Sequence, residues 1–231
     1  MTGGTFNNNG TLNSTVTLDQ SSDAVLNNTG SLSTLQLKDG TVNNSGISTA
    51  RVNAQGDAVF NNLVGGEARK GAILYNSAVI NNEGTWKLGY QNEGNNAGTL
   101  DIDDQSVFNN RGSLILDNSK NAIRFQGANA DATLYNTGEM RLDTAMGNGA
   151  IHYDSGASQF INNGQVDAKV TIAVSTADAT EDKAFFWNQE NGVINFDHDG
   201  TSAVTFTHNN FVAQNDGTMN VSGNNAVAME G

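Results

Sequence analysis

Residues 108–116 read Phe-Asn-Asn-Arg-Gly-Ser-Leu-Ile-Leu, and variants of this phrase recur along the chain. Its first half is an apolar residue, two positions that favour Asn, a variable residue and Gly. Ten copies, some of them degenerate, begin at residues 6, 26, 42, 60, 80, 108, 134, 160, 187 and 213. A repeat of this length predicts one structural unit per copy, with the units stacked into a solenoid.

The second half of the phrase alternates in polarity. Apolar residues occupy the second and fourth positions after the Gly, as Leu114 and Leu116 do after Gly112, and a period of two is typical of a strand with one buried face. A second strand-like phrase follows in the long copies, for example at 122–125 and 150–153. We therefore expect an all-β fold, a right-handed single-stranded parallel β-helix of about ten coils, with the hand taken from crossover rules.

The conserved-looking corner of each copy predicts a ladder of amides. The Asn two places before the Gly should stack on its equivalents in adjacent coils and hydrogen-bond to them. The predicted members are Asn8, Asn28, Asn44, Asn62, Asn82, Asn110, Asn136, Asn162 and Asn215. The Gly is expected to supply a positive φ at the corner, and Val64 stands at this position in the fourth copy.

The repeat covers the whole chain, so we expect one domain over residues 1–231. Successive corners are 16 to 20 residues apart at first and 25 to 28 residues apart later, which predicts shorter coils over 1–83 and longer coils over 84–231. Because the pattern is still running at the last residues, we expect the chain to be a segment of a longer protein.

Composition narrows the function only broadly. The chain has 11 basic and 24 acidic residues, a net charge of −13, no Pro and no Cys. This acidity argues against a nucleic-acid partner or an anionic membrane surface. The absence of Cys excludes disulfides and thiolate metal sites, and nothing in the sequence indicates a cofactor.

The Asn-Asn-x-Gly-Thr/Ser-Leu coils resemble the passenger β-helices of autotransporter (type V secreted) adhesins of Gram-negative bacteria, and the resemblance covers nearly the whole chain. It implies export and display at the cell surface, with adhesion, self-association or biofilm formation as common roles. In that family a signal peptide precedes the passenger and a membrane β-barrel follows it. Membrane contact is therefore expected only through a barrel outside this chain.

Five residues are candidates for ligand contact. Tyr90, Tyr135 and Trp187 are the aromatic residues expected at the surface, where a flat ring can stack on a sugar. Arg69 and Lys70 form the one adjacent basic pair in the sequence and could meet an acidic glycan. The irregular segments 63–71, 89–98 and 173–184 are the expected places for binding. Other aromatic residues are expected in the core, namely Phe6, Phe60, Trp86, Phe108 and Phe160.

Catalytic residues are harder to find. Asp154-Ser155-Gly156 resembles the surroundings of some serine nucleophiles, with His152, His198 and His208 as the available bases, but its position after a repeated strand favours a turn. Asp117 and Asp143 are expected to stack one coil apart, with Lys169 next to them as an ion-pair partner. The residues Asp101, Asp103 and Asp104 are expected in a solvated turn, and no metal site is predicted.

The first hypothesis for function is thus a non-enzymatic surface adhesin segment. It would act through a polar coil face or its loops, on a copy of itself on a neighbouring cell or on a host glycan or matrix protein. A polysaccharide-degrading β-helix enzyme, a lyase or a hydrolase, is the second hypothesis. A passive stalk that carries a distal binding domain is the third.

Overall fold

The chain folds as a right-handed parallel β-helix in a computed structural model. The described residues are 1–19, 23–88, 98–117, 122–126, 131–144, 150–153, 157–169, 172–174, 184–197, 204–206, 211–222 and 227–229, with only the backbone described at 144, 172–174, 204–206 and 227–229. All strand pairs are parallel, and each joins equivalent strands of adjacent coils. The fold class predicted from the repeat is confirmed.

The first half of each repeated phrase forms the first sheet. It has ten strands, one per coil, as predicted from the ten copies. The strands are Thr5–Asn8, Val25–Asn28, Thr41–Asn44, Val59–Asn62, Val79–Asn82, Val107–Asn110, Thr133–Asn136, Gln159–Asn162, Ala184–Asn188 and Phe211–Asn215.

The second half of the phrase forms the second sheet. Its strands are Ile47–Ser48, Glu67–Ala68, Thr85–Leu88, Ser113–Asp117, Glu139–Thr144, Gln165–Ala168, Val193–Asp197 and Thr218–Ser222. In the first two coils the longer strands Thr11–Leu18 and Ser31–Leu37 span both this sheet and the next one. Ser31 and Leu32 pair with the second sheet, whereas Leu35 to Leu37 pair with the third.

The second phrase forms the third sheet, which closes each coil into a three-sided prism. Its strands are Val52–Gln55, Ala72–Tyr75, Leu100–Asp103, Ile123–Gln126 and Ile151–Tyr153. Three further strands, Ile172–Val174, Val204–Phe206 and Val227–Met229, pair with one another, and the first of them lies next to Ile151–Tyr153.

Apolar side chains from the three sheets fill the interior because every second residue of a strand points inward. Trp86 is fully buried and packs edge-on between Phe60 and Phe108, at ring-centroid distances of 5.5 and 5.4 Å. Phe160 is also fully buried, so four of the five predicted core aromatics are confirmed. Phe6 is the exception, with 41% exposure, because its strand is the edge strand of the first sheet.

The predicted amide ladder runs the length of the first sheet, inside the coil. Each Asn donates from Nδ2 to Oδ1 of its neighbour toward the C-terminus, over 2.6 to 2.8 Å. The sequence prediction missed one rung, Asn188, which joins Asn162 to Asn215. Most of these amides also donate to a main-chain carbonyl, as Asn110 does to Glu139 over 2.9 Å. Buried amide groups are thus satisfied from coil to coil.

The prediction of positive φ at the corner glycines is wrong. Among the described glycines only Gly4, Gly40, Gly56 and Gly65 have positive φ. Gly is needed at the corner because the coil below is too close for a side chain. A Cβ on Gly112 would overlap the carbonyl oxygen of Gly84 and would lie 2.6 Å from the carbonyl carbon of Glu83.

The fourth corner also differs from its prediction. Gly66, rather than Val64, takes the Gly position, since a Cβ on Gly84 would overlap the carbonyl oxygen of Gly66. The two extra residues between Asn62 and Gly66 loop outward, and Val64 is 77% exposed. The corner between Asn188 and Gly192 is enlarged in the same way, again by two extra residues. The side chain of Asn188 donates to the Gly192 carbonyl over 3.2 Å.

Candidate ligand-binding face

The exterior of the first sheet carries a second column of side chains. In six consecutive coils this column consists of amides, which hydrogen-bond over 2.9 to 3.0 Å. They are Asn7, Asn27, Asn43, Asn61, Asn81 and Asn109. Their donors point toward the N-terminus, opposite to those of the inner ladder. Beside this amide column runs a second outward column of half-buried side chains, Val25, Thr41, Val59, Val79 and Val107, so the face is polar along the amide column.

The outer amide column stops after Asn109. The next three coils place Tyr135, Ile161 and Trp187 in direct register at this position. We call these three residues the apolar stripe. Each is half-buried, and Phe185, in the adjacent outward position of the Trp187 strand, is 37% exposed. Large apolar side chains thus replace the amide column over three coils.

Two of the five predicted ligand-contact residues, Tyr135 and Trp187, belong to this stripe. Ile161, which lies between them, was missed by the sequence analysis. The repeat copy at Trp187 was also placed one residue too late, because Phe186 is the buried equivalent of Phe160 and Trp187 faces outward. The signal that could have found the stripe is the break in the Asn column after residue 109.

The indole of Trp187 is held in place from the next coil. Its Nε1 donates to Oδ2 of Asp216 over 2.8 Å. Gln214 donates to the same oxygen from Nε2 over 2.7 Å. Trp187 and Gln214 are paired across adjacent strands, so that one carboxylate, that of Asp216, can hold both side chains. The single N–H group of the indole is already used in this hydrogen bond.

A shallow groove of about 570 Å³ lies beside this indole. It is lined by Asn163, Trp187, Gln189, Glu190, Asn191 and Asp216. Residues 189–191 belong to the enlarged corner between Asn188 and Gly192, so the insertion in the repeat builds one wall of the groove. The lining offers one aromatic face, three amides and two carboxylates, and it contains no basic side chain. It suits an uncharged or weakly cationic polar ligand.

The predicted basic pair lies on a different face. Arg69 extends from the end of a strand of the second sheet and pairs with Glu67 over 2.9 Å. Lys87 pairs with the other oxygen of Glu67 over 2.6 Å. The hydrogen bond from Arg69, together with Lys87, lowers the pKa of Glu67 to about 2. Arg69 therefore has a structural partner, and the Lys70 carbonyl accepts a hydrogen bond from Trp86 over 2.7 Å.

The remaining candidate, Tyr90, lies outside the described residues, as do most of the segments 89–98 and 173–184. Ser155, His198 and His208 also lie outside them. No group of three or more His, Cys, Asp or Glu that could hold a metal occurs among the residues described. The same residues include no helix long and apolar enough to cross a membrane.

The predicted carboxylate column is partly wrong. Asp117 lies opposite Thr144 because the strand register shifts after Leu116, so Asp117 and Asp143 are not direct neighbours. The predicted ion pair between Lys169 and Asp143 is present at 3.7 Å. Arg141 also pairs with Asp143, over 2.6 Å.

The acidic cluster around Asp101 is not a solvated turn throughout. Asp101 belongs to the strand Leu100–Asp103, is 5% exposed, and lies between Arg124 at 2.7 Å and Arg51 at 3.3 Å. Only Asp104, with a φ of 41°, has the backbone of a turn. Desolvation, and then the charge of Asp104, raise the pKa of Asp103 to about 6.

A second groove, of about 310 Å³, lies on the exterior of the third sheet. It is lined by Gln36, Lys38, Asn53, Gln55, Ile73 and Tyr75. The hydroxyl of Tyr75 donates to the side-chain oxygen of Gln55, so this ring is tied to its neighbour strand. The groove was not predicted from the sequence.

Comparison with known proteins identifies the family. A family model described as the BigA fourth domain matches residues 24–231. No curated protein and no solved structure matches the chain significantly. The match covers all but the first coil, and it agrees with the resemblance to the passenger β-helix of an adhesin. The chain therefore belongs to the BigA fourth-domain family and is a bacterial surface adhesin-like domain.

Proposed function

We propose that this domain is a non-enzymatic adhesive segment, exported as an autotransporter passenger and displayed outside the bacterial outer membrane. Its contact surface is the apolar stripe with the neighbouring groove. The observation that carries this proposal is the register of Tyr135, Ile161 and Trp187, three large side chains that replace a hydrogen-bonded amide column on one sheet face. Partly exposed apolar side chains that lie beside polar groups are a common feature of binding sites.

The β-helix supports adhesion mechanically. One amide ladder through all ten coils, a second over the first six and three parallel sheets tie neighbouring coils together. Side chains on one face therefore keep a fixed spacing of about 4.8 Å along the axis. Many weak contacts on such a face can add through avidity when numerous copies are displayed on a cell. A passive stalk would need the same ladders but would have no use for the stripe.

The pairing of the acidic residues supports a non-enzymatic role. A polysaccharide lyase or hydrolase needs carboxylates that converge on the substrate. Each of the two predicted acidic clusters has a carboxylate that is held in an ion pair. Asp101 pairs with Arg124, and Asp143 pairs with Arg141. The groove beside Trp187 is lined by two carboxylates, Glu190 and Asp216. Asp216 already accepts a hydrogen bond from the indole of Trp187.

The test is adhesion by cells that display the full-length passenger. Wild-type cells should clump in a settling assay or bind immobilised glycans or matrix proteins. The double variant Y135A/W187A should lose most of this binding. Tyr75→Ala, which removes an aromatic ring from a different face, is the matched control and should bind like wild type. Equal binding by Y135A/W187A and wild type, at equal surface display, would falsify the proposal.

A further inference from the structure

We infer that the groove beside Trp187 binds an uncharged glycan, which stacks on the indole and hydrogen-bonds to the surrounding amides. This inference rests on the proposed adhesive function and names the ligand class of the same site. The hydrogen-bonding state of Trp187, the chemistry of the groove lining and the direction of the apolar stripe support it.

The state of the indole determines what it can offer a ligand. Its N–H is already donated to Asp216 over 2.8 Å, so the ring has no donor left for a ligand. What remains is its apolar, electron-rich face, which favours contact with the C–H groups of a sugar ring. Oδ2 of Asp216 accepts from both Trp187 and Gln214, so this oxygen is occupied in holding the indole while the carboxylate keeps its negative charge.

The amides of the groove match hydroxyl groups. Asn163, Gln189 and Asn191 line the groove, and each side-chain amide carries a donor and an acceptor. A sugar hydroxyl also donates and accepts, so it can satisfy either end of an amide. An ammonium or guanidinium group only donates, so it can use the amide oxygens and the carboxylates but not the amide N–H groups. The three amides of the lining are therefore fully used only by a hydroxyl-rich ligand.

Charge argues against acidic glycans. The groove contains Glu190 and Asp216 and no lysine or arginine, and the chain as a whole has a net charge of −13. A uronic acid, a sialic acid or a sulfated sugar would be repelled at this site. The ligand class differs from the acidic glycan considered as a candidate ligand for Arg69 and Lys70, where Glu67 already binds Arg69.

The stripe gives the ligand a direction. Tyr135, Ile161 and Trp187 are in register across three adjacent strands, so they extend along the helix axis for about 10 Å at the usual spacing of strands. A linear glycan that enters the groove at Trp187 can continue over Ile161 and Tyr135. A polypeptide would gain no strand pairing on this sheet face, because each interior strand already pairs on both sides.

The experiment uses the purified chain and four probe classes, which are uncharged oligosaccharides, uronic-acid or sulfated oligosaccharides, amino-sugar oligosaccharides and a lysine-rich peptide. Calorimetry or an array should give binding to at least one uncharged oligosaccharide that weakens little with added salt. Trp187→Ala should weaken it by roughly tenfold or more, since ring stacking contributes on that scale. Trp187→Phe keeps a ring and should retain more affinity than Trp187→Ala.

Asn191→Ala should also weaken binding, and Tyr75→Ala should not. Circular dichroism verifies that each variant is folded. Binding confined to charged probes, or an affinity unchanged in Trp187→Ala, would overturn the inference. If no uncharged glycan binds but displayed Y135A/W187A still loses adhesion, the ligand class is wrong while the adhesive function stands.

Discussion

The amide of Asn110 donates from Nδ2 to Oδ1 of Asn136, one coil further on, over 2.7 Å. Its own oxygen accepts from Asn82 over 2.7 Å, and its nitrogen also reaches the carbonyl of Glu139 at 2.9 Å. Asn110 is fully buried, so water cannot replace any of these partners. The ladder is thus a chain of amides that depend on one another for satisfaction.

Changing this rung should therefore be costly. Asn110→Ala leaves the oxygen of Asn136 without its ladder donor and should lower the free energy of unfolding by about 1–3 kcal/mol. Asn110→Asp should lower it further, because a buried carboxylate has no N–H to donate and faces another oxygen. Urea unfolding followed by circular dichroism measures both. Asn109→Asp, in the half-buried outer column, is the control, and an equal loss at Asn109 and Asn110 would contradict the role of the inner ladder.

Substitution of a corner glycine tests the close approach of the coils. Gly112→Ala places a methyl group against the main chain of Gly84 and Glu83, and because backbone cannot move aside locally, we expect a loss of about 3 kcal/mol. Gly10 occupies the same position of the repeat but has no atom within 4 Å of a Cβ. Gly10→Ala should therefore leave the unfolding midpoint nearly unchanged. Similar losses at the two positions would show that conformation, not proximity, selects Gly.

The pH dependence of stability should contain a contribution from Asp103. Desolvation and the charge of Asp104 raise its pKa in the folded state to about 6, from an ordinary value of 3.8. Folding is therefore favoured by this group when it is protonated below pH 3.8, and that contribution is lost as the pH rises through about 6. Asp103→Asn cannot ionise, so it should be more stable than wild type at pH 7 by about 1 kcal/mol, a value discounted for screening by solvent.

Chemical unfolding at pH 3 and pH 7 measures this difference, which should vanish at the lower pH. Asp104→Asn removes one cause of the raised pKa and should give a smaller gain in the same direction. If the wild type loses no stability relative to Asp103→Asn between pH 4 and pH 7, the raised pKa of Asp103 is contradicted.

Much of this fold could be predicted because each copy of the sequence repeat corresponds to one coil of the structure. The alternation of apolar and other residues around Leu114 and Leu116 predicts which strand face points inward. The recurrence of Asn at the same position of the repeat, as at Asn110 and Asn136, predicts the ladder. Asn188 was missed because three residues, rather than one, lie between it and Gly192. The reason for Gly at the corner was wrong because a sequence cannot distinguish a need for positive φ from a neighbouring backbone that excludes Cβ.

The site was less predictable than the scaffold. Tyr135 and Trp187 could be suspected as surface aromatics, but their shared column depends on the pairing of strands 26 residues apart. The bond from Trp187 to Asp216 joins different coils and leaves no local pattern. The shift of register after Leu116, which separates Asp117 from Asp143, also has no signal in the repeat.

The two tryptophans should be distinguishable by fluorescence, which tests their opposite placements. Trp86 is buried between Phe60 and Phe108, whereas Trp187 lies on the exterior. In Trp187→Phe the remaining emission from Trp86 should be blue-shifted and resistant to acrylamide. In Trp86→Phe the remaining emission should be red-shifted and readily quenched. Trp86→Phe should also lose about 1–3 kcal/mol of stability, because the Lys70 carbonyl loses its donor. Trp187→Phe should unfold at nearly the wild-type midpoint, and equal quenching of the two variants would refute the placement of the stripe.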